Sequence, residues 1–233
     1  ADVTVAYAEE ELPAISDHVQ PGAKGFFYSL QLDGNHVTKI KINPQDPGKQ
    51  NFSMNIYVMD RELLIDQVNT AFVRGNIYFE RDVLAPNLEK LNVQAFKFDG
   101  YYARINDMKS YFNENMKLLE DENLDGLFAP NPVYTKIRDD NPTRYISGSK
   151  VKNIMAADGC VIEGEVENSI LFRGVKIGKG AKVKNCVLMQ DTVVEEGANL
   201  EYVISDKNVH ITAGKELKGT DTLQVFVEKR KVV

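Results

Sequence analysis

The 233-residue chain carries 28 Lys and Arg against 34 Asp and Glu, a formal net charge of −6. That balance argues against nucleic acid as a main partner, because phosphate contacts need clustered cationic side chains. A composition of 43% hydrophobic and 27% charged residues is that of a soluble globular protein, with enough chain for one large or two ordinary domains.

Residues 3–7 (VTVAY) read as a buried strand with almost no lead-in, which suits a cut made inside a larger domain, and Ala1 in place of a start methionine fits a processed or excised piece. Residues 13–24 are polar and bear Gly and Pro, the composition of a loop. Residues 26–32 and 37–42 alternate apolar and polar about Asp33-Gly34-Asn35, a hairpin signal. Residues 53–59 (SMNIYVM) form the next strand, and Asp60 is placed to cap a helix with Leu63, Leu64 and Val68 on one face.

Residues 81–91 predict a short helix interrupted by Pro86, and residues 93–98 a strand. Asp107 caps a further helix in which Met108, Tyr111, Phe112, Met116 and Leu119 keep a 3.6-residue period, the pattern of a core face. The acidic run 120–125, with Pro130 and Pro132 after it, reads as a solvated linker over residues 120–133. Residues 1–119 are therefore expected to be an incomplete α/β domain. Residues 134–233 are expected to be a second domain, with 134–155 forming its first, irregular coils.

From Cys160 onward the same chemistry returns every seventeen residues. Cys160, Ile177, Val194 and Ile211 share one column; Val166, Val183, Leu200 and Leu217 a second; Ile170, Val187 and Ile204 a third. Gly180, Gly197 and Gly214 mark one corner, while Gly164 is one place out of step. Seventeen residues is too short for a helix pair and suits three short strands joined by tight turns, the hexapeptide parallel β-helix. One coil cannot bury its own inward residues, so its neighbours must do so, and all three apolar columns are expected to point inside.

Free-standing chemistry is sparse. Gly178-Lys179 is followed by Gly180 and makes no phosphate loop, and Cys and His show no metal-ligand spacing. Cys160 and Cys186 fall in different columns, so they suggest no pair and point to a reducing, cytoplasmic setting. No apolar run approaches the eighteen residues of a membrane span, and no signal peptide opens the chain. His210 is the one candidate for the coil-borne base of a hexapeptide acyltransferase, but it neighbours inward Ile211, and strand alternation turns it outward.

The order of the two domains, the segment Ser53-Met54-Asn55-Ile56-Tyr57-Val58 and the opening ADVTVAY together resemble the C-terminal two-thirds of ADP-glucose pyrophosphorylase (glucose-1-phosphate adenylyltransferase). The resemblance implies a Rossmann-like nucleotidyltransferase domain followed by a left-handed β-helix, and tetrameric assembly, here mixed or homomeric. It also implies a reaction that joins ATP and glucose 1-phosphate with Mg²⁺ held by carboxylates. Against the family's Phe-Val-Glu-Lys-Pro, this chain has Ile40-Lys41-Ile42-Asn43-Pro44, so Ile42 and Asn43 replace the glutamate and the lysine that holds the sugar phosphate. Against Tyr-Trp-Arg-Asp-Val-Gly-Thr it has residues 101–107, which puts Arg104 where a metal-binding aspartate belongs, a reversal of sign. Ser53 is kept, and Asn55 replaces a glycine, leaving the two as remnants of a sugar-phosphate pocket. Phe226-Val227-Glu228-Lys229 imitates the sugar-phosphate motif but lies in the C-terminal tail with Arg230 after it.

Three degenerate positions with matching flanks make the chain similar to the non-catalytic, D-type subunit of bacterial glycogen synthesis. That reading assigns no catalytic residue, metal or cofactor to this chain and leaves Mg²⁺ and ATP to a catalytic partner subunit. A competent nucleotidyltransferase and an acyltransferase remain as alternatives.

Overall fold

Val3, Val5, Leu30, Val37 and Val93 are buried side chains from four different strands, and they fill the centre of a closed five-stranded barrel. The computed structural model describes residues 1–12, 27–44, 46–129, 133–136 and 138–233. The loop expected at 13–24, and Pro130 and Pro132, lie outside the described residues. The chain divides into two compact units, Ala1–Gly100 and Tyr101–Val233.

The first unit is α/β. Its strands are β1 (Val3–Leu12), β2 (Tyr28–Asp33), β3 (His36–Ile42), β4 (Gly48–Met59) and β5 (Val93–Lys97). The barrel order is β1-β4-β2-β3-β5, in which only β1 and β5 run parallel. The predicted hairpin forms with Asp33 opposite His36. Gly34 sits at φ 58, the positive value that a primed two-residue turn needs at its first central position.

Helix α1 (Arg61–Arg74) begins where Asp60 predicts: its Oδ1 accepts from the amides of Glu62 at 2.8 Å and Leu63 at 3.3 Å. Of the expected apolar face, Leu63 packs against the barrel core, but Leu64 and Val68 are exposed, as are Phe72 and Val73 beyond them. In place of the helix expected over 81–91, a π-helical turn (Phe79–Leu84) runs into a 3₁₀ turn (Ala85–Asn87). Pro86 lies in the first positions of that short turn, where its missing N–H costs no intrahelical bond.

In the second unit, α2 (Met108–Lys117) is capped by Asp107, whose carboxylate accepts from the Ser110 amide at 2.7 Å in a reciprocal capping box. The acidic run is no linker. It folds as α3 (Asp121–Phe128), where Asp121 and Glu122 in the first turn complement the positive end of the helix dipole. The division of the chain also falls after Gly100 and not after residue 119. The reason is α2: Phe112 is buried on Val187 and Ile204 of the coil, so the helix belongs to the second unit.

The coil stacks short parallel strands into two sheets with the expected period. Val183 pairs with Val166 and Leu200, Leu200 with Leu217, and Val187 with Ile170 and Ile204. In the first column one assignment shifts: Ile177 pairs with Ile162, not Cys160, because that line is fifteen residues long and not seventeen. Gly164 occupies the shortened corner, where a Cβ would meet the Ala181 carbonyl oxygen at 2.4 Å.

The third column departs more. Ile170, Val187 and Ile204 do not line the interior; they face out, and Val187 and Ile204 are covered by Phe112 while Leu171 and Leu188, one place on, go in. Each turn of the coil is closed by left-handed residues in register, such as Gly180, Gly197 and Gly214 at φ 69, 70 and 67, and Asn168, Asn185 and Tyr202 at φ 44, 51 and 51.

Candidate functional site

The polar centre of the first unit forms where β4 meets the π-helical turn. On β4, Ser53 is buried to 3% exposure beside the equally buried Phe52, and its Oγ donates to Glu80 Oε1 at 2.5 Å. Glu80 is itself only 2% exposed. The Asn55 amide donates back to Ser53 Oγ at 3.1 Å, aided by a left-handed backbone at Asn55 (φ 57). Tyr57, two residues on, packs edge-on against Phe79 with ring centroids 5.0 Å apart, and its hydroxyl reaches Asn55 Oδ1 at 3.4 Å.

The turn that delivers Glu80 is held by Asp82, whose Oδ2 accepts from the amides of Ile77 and Tyr78, each at 3.0 Å. Arg81 donates to Asp82 Oδ1 at 2.5 Å and lies over the Tyr78 ring, 4.5 Å from its centroid. The Arg81 guanidinium, then the two backbone amides, hold the Asp82 carboxyl far below the usual carboxylate range. Burial, then the negative charge of Glu80, push the Tyr57 phenol far above its ordinary value. The same two causes, in the same order, raise Tyr28.

Of the residues singled out in the sequence, Ser53 and Asn55 are brought together. Asn43 serves the backbone: its Oδ1 accepts from the Phe27 amide at 2.8 Å and its own amide donates to the Phe27 carbonyl at 2.7 Å, closing the open end of the β2–β3 hairpin. Its left-handed backbone (φ 47) suits asparagine better than most side chains. Ile42, at the end of β3, is 39% exposed. Arg104 lies half-buried in the second unit, in the segment leading to α2.

His210 turns outward as alternation requires; Nε2 lies 2.6 Å from Glu195 Oε1, and Glu195 Oε2 accepts from the Ala213 amide at 2.8 Å. The His210 bond, then that amide, lower the Glu195 carboxyl. The groove beside them is lined by Glu163, Lys176, Glu195 and Glu196, and His210 is not in its wall.

Glu80, Tyr57 and Tyr28 escaped the sequence reading. One signal was present: in a helical register Glu80 shares a face with Leu84, four residues on, and both are buried. The donor set around Ser53 offers one carboxylate and neutral hydroxyls. Among the described residues no group of three or more His, Cys, Asp or Glu side chains is placed to hold a metal. None of the described helices is long and apolar enough to cross a membrane.

Comparison with known proteins agrees with the coil. Residues 136–224 match the family described as GlmU-like, C-terminal hexapeptide. The chain is 40% identical over 178 residues to the glycogen biosynthesis protein GlgD of Bacillus subtilis (strain 168), covering 76% of this chain and 52% of the relative. It is 37% identical over 152 residues to a glucose-1-phosphate adenylyltransferase of Geobacillus stearothermophilus, covering 64% of this chain and 39% of the relative. A GlgD of that same organism is 39% identical over 132 residues, 56% of this chain and 38% of the relative. The chain thus spans about half the length, or less, of these curated relatives. The resemblance carried by Ser53–Val58 and the two-part order is thereby shown: the chain is similar to the ADP-glucose pyrophosphorylases and, with them, to the D-type glycogen biosynthesis proteins.

Proposed function

We propose that the chain belongs to a regulatory or architectural subunit of glucose-1-phosphate adenylyltransferase, acting in the cytoplasm in ADP-glucose synthesis for glycogen and not catalytic itself. The observation that carries this reading is the character of the three positions where a working site needs charge. Ile42 offers an alkyl group, Asn43 a neutral amide committed to Phe27, and Arg104 a cation in place of a metal-binding carboxylate. A neutral amide cannot replace the charge that a lysine brings to a phosphate, and a guanidinium repels a dication. The Ser53 environment adds support, because the hydroxyl of that remnant position is already engaged by Glu80.

The partner in this reading is a catalytic subunit that supplies Mg²⁺ and ATP binding, in a mixed tetramer; the coil is the docking body. Co-expression tests it. The full-length protein alone should release no pyrophosphate from ATP and glucose 1-phosphate, and mixing with a catalytic subunit should change that subunit's kcat or KM. Turnover by the full-length protein without a partner would favour the alternative, a competent nucleotidyltransferase. An acyltransferase would require His210→Ala to abolish acyl transfer, and His210, bonded to Glu195 but itself not in the wall of the neighbouring groove, lends that reading no support.

A further inference from the structure

The strand His210–Ile211 ends one sheet of the coil, and its outer side is not left open. Toward the preceding rung, the carbonyls of Val209 and Ile211 accept from the amides of Val193 at 2.9 Å and Glu195 at 3.0 Å. On the other side stand the His210 amide, the His210 carbonyl and the Thr212 amide, and residues 231–233 satisfy all three. His210 N donates to the Lys231 carbonyl at 2.9 Å, Val233 N donates to the His210 carbonyl at 3.0 Å, and Thr212 N donates to the backbone oxygen of Val233 at 2.8 Å. Thr212 Oγ1 donates to that same oxygen at 2.7 Å. Val232 lies opposite His210 in a parallel bridge.

The segment reaches this place in register, although the period is broken just before it. Phe226 pairs with Ile204, whereas Ile204 pairs with Val187, so the last spacing exceeds seventeen residues, and Thr220 and Leu223 close a turn in the lengthened stretch. Beyond it the corner pattern resumes. Asp191, Asn208 and Arg230 are left-handed at φ 57, 59 and 61, and each donates its amide to a carbonyl of the rung before, Arg173, Gln190 and Lys207 in turn. Arginine favours that backbone less than asparagine or aspartate, so its conformation here reflects the bonds of the rung. Little apolar area holds the segment down: Glu228 through Val232 are exposed, and only Val233 packs on the coil core. A part held by backbone bonds with few buried contacts is one that opens locally. Its own outer edge carries Lys229, Arg230 and Lys231, and charge on an edge discourages a further strand from pairing. A bare edge at residues 210–212 would instead offer two amides and a carbonyl beside the buried Val209 and Ile211.

We propose that residues 228–233, which include the end of the Phe226–Lys229 motif, are an edge cap. They occupy the pairing side of the strand His210–Ile211 and keep a second copy of the chain from adding a strand there. Opening of the segment turns that side into a self-association site.

The test compares the full-length protein with a form lacking residues 228–233, and with that deletion combined with Thr212→Pro, which removes one edge amide and is tolerated on an outer strand. Mass is followed by light scattering over a range of protein concentration, and amide exchange is measured in the most dilute sample. In the parent the amides of His210 and Thr212 should be protected. In the deletion form they should exchange at least about tenfold faster when dilute, and the mass should climb to about twice the parent's as concentration rises. Adding Thr212→Pro should return the mass to the parent's value. Val233→Pro, which deletes only the donor to the His210 carbonyl, should give the same two changes in weaker form and decides the matter if the deletion form does not fold. A folded deletion form that keeps the parent's mass at every concentration overturns the proposal; where only Val233→Pro folds, the parent's mass and protection in that variant do so. Unprotected His210 and Thr212 amides in the parent also overturn it. So does association that persists with Thr212→Pro, since it would come from exposed apolar surface and not from the edge.

Discussion

Tyr202 holds its ring 6.0 Å from that of Phe112, tilted by 50°, from a left-handed corner of the coil at φ 51. Asparagine occupies the same corner in the two preceding turns, at Asn168 and Asn185. A bulky residue with positive φ is strained, and here the strain is offset by an aromatic contact that fastens α2 to the outward column of Val187 and Ile204. Phe112→Ala should therefore cost about 3–5 kcal/mol in urea unfolding, the usual loss for a buried phenylalanine. Tyr202→Asn should cost less, since asparagine relieves the backbone while forfeiting an aromatic pair worth about 1 kcal/mol. Equal losses in the two variants would count against this account of the corner.

Two glycines of the coil separate steric from conformational need. At Gly164 a Cβ would stand 2.4 Å from the Ala181 carbonyl oxygen and 2.8 Å from that of Gly178. At Gly180 it would meet nothing within 4 Å, but φ is +69. Gly164→Ala is expected to destabilise by about 2–3 kcal/mol through forced movement of backbone, and Gly180→Ala by about 1 kcal/mol through backbone strain alone. Chemical denaturation of both variants checks the order, and a larger loss at Gly180 would reverse the assignment.

The raised phenol of Tyr57 makes the first unit sensitive to alkali. Its folded pKa lies above the ordinary 10.0, so the neutral form is favoured in the fold. The stability this contributes is complete below about pH 10, and is lost as pH climbs from there toward the folded value, because the unfolded chain gives up its proton first. Urea midpoints measured from pH 7 to pH 11 should fall above pH 10 in the parent and fall less steeply in Tyr57→Phe. Parallel slopes would show that the alkaline loss has another source.

Cys160 and Cys186 are both buried and unpaired with each other. Burial pushes the Cys186 thiol up to about 12, and raises Cys160 in the same direction. A thiolate is the reactive species, so the folded protein at pH 8 should resist a thiol-specific disulfide reagent, and both cysteines should react in strong urea. Rapid labelling of the native protein would contradict the packing of the coil.

Much of this molecule is legible residue by residue. The caps at Asp60 and Asp107, the hairpin turn at Gly34 and the seventeen-residue return of Val166, Val183, Leu200 and Leu217 all depend on neighbours in sequence or on a strict period. Such signals survive without knowledge of the fold. Strand alternation likewise put His210 outward.

Tertiary structure decided the rest. A column of apolar residues says that a face is covered, not by what, and only the seating of Phe112 shows that Val187 and Ile204 look outward. The acidic run became α3 because a helix dipole rewards first-turn carboxylates that a composition reading assigns to solvent. Ser53 and Glu80 stand 27 positions apart, on elements of different period, and no local pattern couples a strand hydroxyl to a carboxylate in a π-helical turn. Periodicity is a property of the chain, whereas the partner of a buried polar atom is a property of the space into which the chain is packed.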